Sequence, residues 1–248
     1  MGLPNAIAKK IVVYARKVST RFRALDREAV AGYYLKGQGL EIGALHNPLL
    51  VPASVKVRYV DRMTVADLRR QYPELNKERL TEPDILDDGE QLSTVQDSSQ
   101  DFLIANHFLE HCENPIRTVK NFLRVLKVEG ILYMCIPDKR FTFDRDRPVT
   151  RFSHLERDYR EGPEWSRRAH FEEWVLLMEK VSPPEKARER TDELMAMRYS
   201  IHYHVWTQSE LLEFVQRLQT DFHLAIELEL FLKLGGEVLL VLRKLPTI

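Results

Sequence analysis

Asp101-Phe-Leu-Ile-Ala-Asn-His-Phe-Leu-Glu-His111 decides how the chain reads. An acid introduces a short, wholly apolar run, and a polar pair, Asn106-His107, follows it. A run of that kind is a strand buried on both faces, as in the parallel sheet of an α/β protein. Ligands in such sheets bind outside the carboxyl ends of the strands, which puts Asn106 and His107 at the site by position alone.

Downstream, Pro115–Lys127 repeats Ile116, Val119, Phe122, Leu123 and Leu126 on one helical face, and Glu129-Gly130 turns it into a strand over 131–136. Upstream, Gly39-Leu-Glu-Ile-Gly-Ala-Leu-His-Asn-Pro48 is a strand end running into a glycine turn, and Val57-Arg-Tyr-Val-Asp61 is a second strand ending on an acid. A terminal carboxylate there suits the two hydroxyls of a ribose. Pro48 and Pro52 leave room for one helical turn at most between these strands, where a parallel crossover normally has a helix. Thr64 or Asp67 caps a helix ending before Pro73, and a weak third strand precedes Asp87-Asp88-Gly89.

Residues 138–151 mix Asp138, Asp144, Arg145 and Arg147 with Phe141 and Phe143, and helical sequence continues to about 200. The mixture suits either a polyhydroxylated ligand or a loop paired with itself. Thr207-Gln-Ser-Glu210 has capping-box spacing, and two further strands, 223–232 and 237–242, turn at Gly235-Gly236. Residues 5–31 read as a basic amphipathic helix packed on the domain.

Lys+Arg and Asp+Glu are both 37 among 248 residues, which argues against a protein working chiefly on nucleic-acid phosphates. Cys112 and Cys135 form no CxxC and read as buried thiols. No apolar run is long enough for a membrane span and no signal peptide is evident, so a cytoplasmic protein is expected.

The chain resembles the class I S-adenosylmethionine-dependent methyltransferases, closest to their small bacterial type 11 branch. The resemblance rests on residues 101–111, Asn114-Pro115, and Leu123-Arg-Val-Leu-Lys-Val-Glu-Gly130. It implies an α/β, Rossmann-like, doubly wound, mostly parallel sheet with a C-terminal antiparallel strand and a helical insertion. The implied layout is an N-terminal helical extension (1–36), a core (37–138 and 201–248), and an insertion (139–200) forming a lid or acceptor site. It implies S-adenosyl-L-methionine as cofactor and a methyl acceptor such as a sugar, glycan or small polar metabolite, methylated on oxygen, with no nucleic-acid partner. A non-catalytic methyltransferase-fold module serving a partner enzyme is the alternative.

Carried across by residue, Glu41 and Gly43 match the start of the family's glycine loop, with Ala44 and Asn47 beside them. Leu45 and Asn47 stand where later glycines would be. Asp61, with Arg62, matches the ribose acid, Asp88-Gly89 the adenine turn, and Asn106-His107 the methionyl end. His154, His170, His202 and His204 are the candidates for a base or an acceptor contact, because imidazole titrates near working pH. No full ligand set for a metal is assigned, although Asp138, Asp144 and a histidine are a conceivable one.

Overall fold

The computed structural model describes residues 25–247. The amino-terminal part of the basic helix expected over 5–31 therefore lies outside the described residues; the helix α1 spans Arg27–Tyr34, capped by Asp26, and α2 spans Val65–Gln71, capped by Thr64.

Seven strands form one sheet in the order β3-β2-β1-β4-β5-β7-β6. They are β1 (Gln38–Ile42), β2 (Lys56–Asp61), β3 (Ile85–Leu86), β4 (Gln100–Asn106), β5 (Leu126–Pro137), β6 (Ile226–Leu234) and β7 (Glu237–Lys244). The first five run parallel, and β7 is antiparallel to both β5 and β6. Strand order reverses direction between β1 and β4, which opens a crevice at their carboxyl ends.

The apolar run of β4 shows why its sequence is so plain. Leu103 and Ala105 point into the core shared with α3 (Pro115–Val125) and α7 (Gln208–Thr220), whereas Phe102 and Ile104 point to the opposite face, where α1 packs. Alternation in a doubly covered strand requires apolar residues at every position. Helix α3 starts where Asn114 accepts the Arg117 N–H at 3.0 Å and Pro115 occupies its first turn.

The link between the first two strands follows the expectation, and two other details differ from it. No helix joins β1 to β2; the loop is instead held by Glu41, and α1 with Leu49 and Val55 covers that face. Strand β5 begins at Leu126 rather than after Gly130, because Gln100 already pairs with Leu126 before the register shifts to Phe102–Ile131. The helix preceding it accordingly ends at Val125, and Glu129 takes a left-handed φ of 67° in the irregularity. The hairpin strands run later than read, to Leu234 and Lys244.

Between β5 and α7 lie α4 (Phe152–Glu161), α5 (Glu164–Leu177) and α6 (Pro184–Ala196). Phe171, Val175, Ala187 and Leu194 form a separate core there with Ile201 and Tyr203. The returning segment 201–206 is not a regular strand: Tyr203 N–H donates to the Glu110 carbonyl at 2.8 Å, and Trp206 makes one bridge to Asp138. The Thr207–Glu210 capping box forms as read. Among the described residues no helix is long and apolar enough to cross a membrane.

Candidate active site

A cavity of about 1520 Å³ opens at the carboxyl ends of the strands. Gly43, Asp61, Arg62, Asp88, Gly89 and His107 line it, each from the end of β1, β2, β3 or β4. Glu41, Ala44, Asn47 and Asn106, the other residues carried over for the cofactor, are not in its lining. The reason is clearest for Glu41. Its carboxylate is buried and accepts the Leu49 N–H at 2.9 and 3.2 Å, so it braces the β1–β2 loop from behind. Burial, opposed by that N–H, raises its pKa to about 7.

The glycine loop keeps its backbone shape with fewer glycines. Gly43 has φ +62°, and a Cβ there would meet only Phe108, at 3.7 Å. Leu45 stands at a glycine position yet adopts φ 47°, a left-handed conformation that costs a non-glycine residue about 1–2 kcal/mol. At Gly89 a Cβ would come within 2.6 Å of both Ile42 and Phe108, so only glycine lets this turn close on the strand end. Asp61 is driven upward in pKa by burial, and the Met63 N–H, donated at 3.0 Å, opposes the shift. Asp88 turns back on its own loop, accepting the Glu90 N–H at 2.8 Å.

His107, with φ 50°, leaves the strand sideways. Its Nε2 lies 2.8 Å from both the Glu237 carboxylate and the Arg27 guanidinium. Burial raises Glu237, but its bonds to His107 and Arg27 prevail and hold it at about 2. His111 lies elsewhere, on the short turn Leu109–His111, so the two histidines belong to different groups and not to one helical pair. The Nδ1 of His111 is 2.9 Å from the Ile201 carbonyl, which assigns the proton to Nδ1 and turns Nε2 into an acceptor. Burial, then His202, depresses its pKa to about 3. Next to it Glu110 is buried with both carboxylate oxygens unpartnered, and burial pushes its pKa up.

The four histidines proposed as base or acceptor contacts do not share one place. His202 Nδ1 is 2.7 Å from Asp144, which also takes a bond from Arg147 at 2.8 Å. Burial raises Asp144, but these bonds win and lower it. His154, His170 and His204 gather instead around Asp158. None of the four lines the large cavity; His154 and His170 line a second one, of about 530 Å³. The conceivable ion site on Asp138 and Asp144 does not form, since Asp138 binds Arg140 and Asp144 binds His202 and Arg147. The mixed run 138–151 is thus largely paired with itself, and Phe143 packs on Trp174 and His202. Sequence reading missed Glu110, Phe108, Glu237 and Asp158. Only Asp158 left a signal, four residues after His154 on one helix.

This sheet order, with its crevice between β1 and β4 and a strand-end carboxylate in it, is a Rossmann-like methyltransferase fold. Residues 40–134 match the family described as a methyltransferase domain. No curated protein matches it in sequence. Among solved structures, it resembles an S-adenosylmethionine-dependent methyltransferase from Methanosarcina mazei at 21% identity, covering 89% of this chain and 99% of that one, with a TM-score of 0.46. A second, from Rhodobacter sphaeroides and bearing a zinc-dependent alcohol dehydrogenase name, shares the fold at a TM-score of 0.53, with 14% identity and coverage of 90% and 91%.

The lining residues are compatible in chemistry with the cofactor: Gly43 leaves the backbone bare, Gly89 shapes the turn, and Asp61 presents a carboxylate at the strand end. When bound, S-adenosyl-L-methionine supplies an electrophilic methyl group.

Proposed function

We propose that the chain methylates an oxygen of a sugar, glycan or other small polar acceptor. The observation that carries this reading is the size and lining of the large cavity. Its 1520 Å³ exceeds the roughly 300–1000 Å³ of pockets that hold one drug-sized ligand, leaving room for acceptor and cofactor together. Beyond the strand ends its lining turns to Arg117, Arg167, Arg198, Tyr199, Ser200 and Tyr203. Guanidinium, phenol and hydroxyl groups hydrogen-bond hydroxylated surfaces from several directions.

In this reading Asp61 and the Gly43 and Gly89 turns hold the cofactor, with Arg62 and Asp88 beside them. Arg167, fixed by Glu113 at 2.6 and 2.8 Å, orients the acceptor. Displacement at a methyl carbon needs chiefly alignment, and a hydroxyl acceptor must also give up a proton. His107 lines the cavity, with its Nε2 2.8 Å from both the Glu237 carboxylate and the Arg27 guanidinium. His111, depressed to about 3 by burial, serves better as a hydrogen-bond acceptor through Nε2.

Transfer of labelled methyl from S-adenosyl-L-methionine to a panel of sugars, phenols, carboxylates and amines tests this. A methyl ether stable to mild base on a sugar hydroxyl is expected. Base-labile methyl esters, or methylation of amines alone, would overturn it.

A further inference from the structure

Asp158 and the three histidines around it come from three separate parts of the fold. His154 and Asp158 lie one turn apart on the same face of α4, His170 comes from α5, and His204 from the returning segment 201–206. One ligand atom from each lies within 4.8 Å of every other. His154 Nε2 is 3.0 Å from His170 Nε2 and 3.3 Å from Asp158 Oδ2, and His204 Nε2 is 3.7 Å from that oxygen. Zinc bonds of about 2.0–2.2 Å to nitrogen and oxygen give tetrahedral edges of roughly 3.4 Å, which these distances straddle.

Hydrogen bonding within the protein accounts for only part of the arrangement: His204 Nε2 also lies 3.5 Å from the Glu113 carbonyl. Asp158 is wholly buried, yet its Oδ2 has no hydrogen-bond partner, while Oδ1 accepts the Ser166 hydroxyl at 2.8 Å. The facing His154 and His170 nitrogens have room for one proton between them. A buried carboxylate facing three imidazoles is a donor set that a cation would complete.

Two other groups of potential ligands among the described residues differ on this point. Beside His107, Cys135 and Glu237 the Arg27 guanidinium already supplies the positive charge. The group of Glu110, His111 and His202 offers three ligating residues, one short of a closed tetrahedral set.

We propose that His154, Asp158, His170 and His204 bind a divalent transition-metal ion of the zinc type, with three nitrogen ligands and one oxygen. Four protein ligands and no fifth protein group make it a closed, structural site. Ser166 orients the carboxylate from behind. The ion would fasten α4 and α5 to the segment carrying Tyr203, and so fix one wall of the large cavity. It is independent of the methyl acceptor, and its test does not use activity.

Untagged protein, purified without chelator, is assayed for metal by mass spectrometry, then stripped and titrated with Zn²⁺ and Co²⁺. About one zinc per chain is expected, with a rise in Tm of roughly 5–10 °C on reloading and the strong visible absorption of tetrahedral Co²⁺. His170→Ala and Asp158→Asn should each lose stoichiometric metal, while His202→Ala keeps it. Substoichiometric zinc with octahedral or no Co²⁺ binding in the wild-type chain would overturn the proposal whether or not the variants fold. Full metal content in a folded His154→Ala/His170→Ala double variant would do the same.

Discussion

On one side of the large cavity, Gly43, Asp61 and Gly89 stand at strand ends, and the backbone places them. On the other side Arg167, Arg198 and Tyr203 reach in from a helix and from irregular chain, and Arg167 is held in place by the Glu113 carboxylate. The first wall is as rigid as the sheet. The second depends on side-chain partners, so its shape can change without disturbing the strands. A cofactor common to a whole family and an acceptor particular to one enzyme call for that division.

The comparison is tested most severely at Asp61. Asp61→Ala should weaken S-adenosyl-L-methionine binding by roughly 10- to 150-fold, the loss of hydrogen bonds to a charged group worth about 1.5–3 kcal/mol. Calorimetry measures this, and an unchanged affinity would remove the ribose assignment.

Next comes the brace behind the same wall. The folded protein holds the Glu41 proton up to about pH 7, whereas the unfolded chain releases it near the ordinary value of 4.5. Between those values the folded state binds more protons, so this group makes stability fall as pH rises from about 4.5 to about 7, after which it levels. Glu90, raised to about 7 by burial, acts in the same direction. Glu41→Gln retains an acceptor for Leu49 and should remove on the order of 1–2 kcal/mol of that fall. Urea midpoints at pH 5 and pH 8 measure it; an equal fall in both proteins would show that Glu41 is not buried as described.

The smallest effect belongs to the second wall. Arg167→Met should raise the acceptor KM roughly 2- to 10-fold, the value of one or two ordinary hydrogen bonds, and leave the cofactor KM within about twofold. If the cofactor KM moved instead, the two walls would not be separate.

The same division governs what could be read without coordinates. Strand β4 and helix α3 were legible because burial on both faces and a helical stripe each impose a residue pattern. The absent crossover helix was legible from Pro48 and Pro52. Leu45 misled in one respect, because it adopts the left-handed backbone normally left to glycine. The histidines were noticed as types but not as a group. His154 and His204 are fifty residues apart, and only packing of α4 and α5 against the returning segment joins them. Glu110 was hidden for a related reason: a glutamate in a short polar turn reads as solvated, and nothing local predicts that Tyr203 and His204 will cover it.

The link between Arg27, His107 and Glu237 also bears on how the molecule is made. Arg27 Nε donates to Glu237 at 2.7 Å across 210 residues of chain, and His107 meets the same carboxylate across 130. Contacts of such separation close late, because the intervening chain must first be ordered. During synthesis from the amino terminus, β1 to β5 can pair while Glu237 is still within the ribosome. The edge beside His107 then waits with its partner missing. A chain ordered only through β5 would carry five of the seven strands and an unfinished rim beside His107.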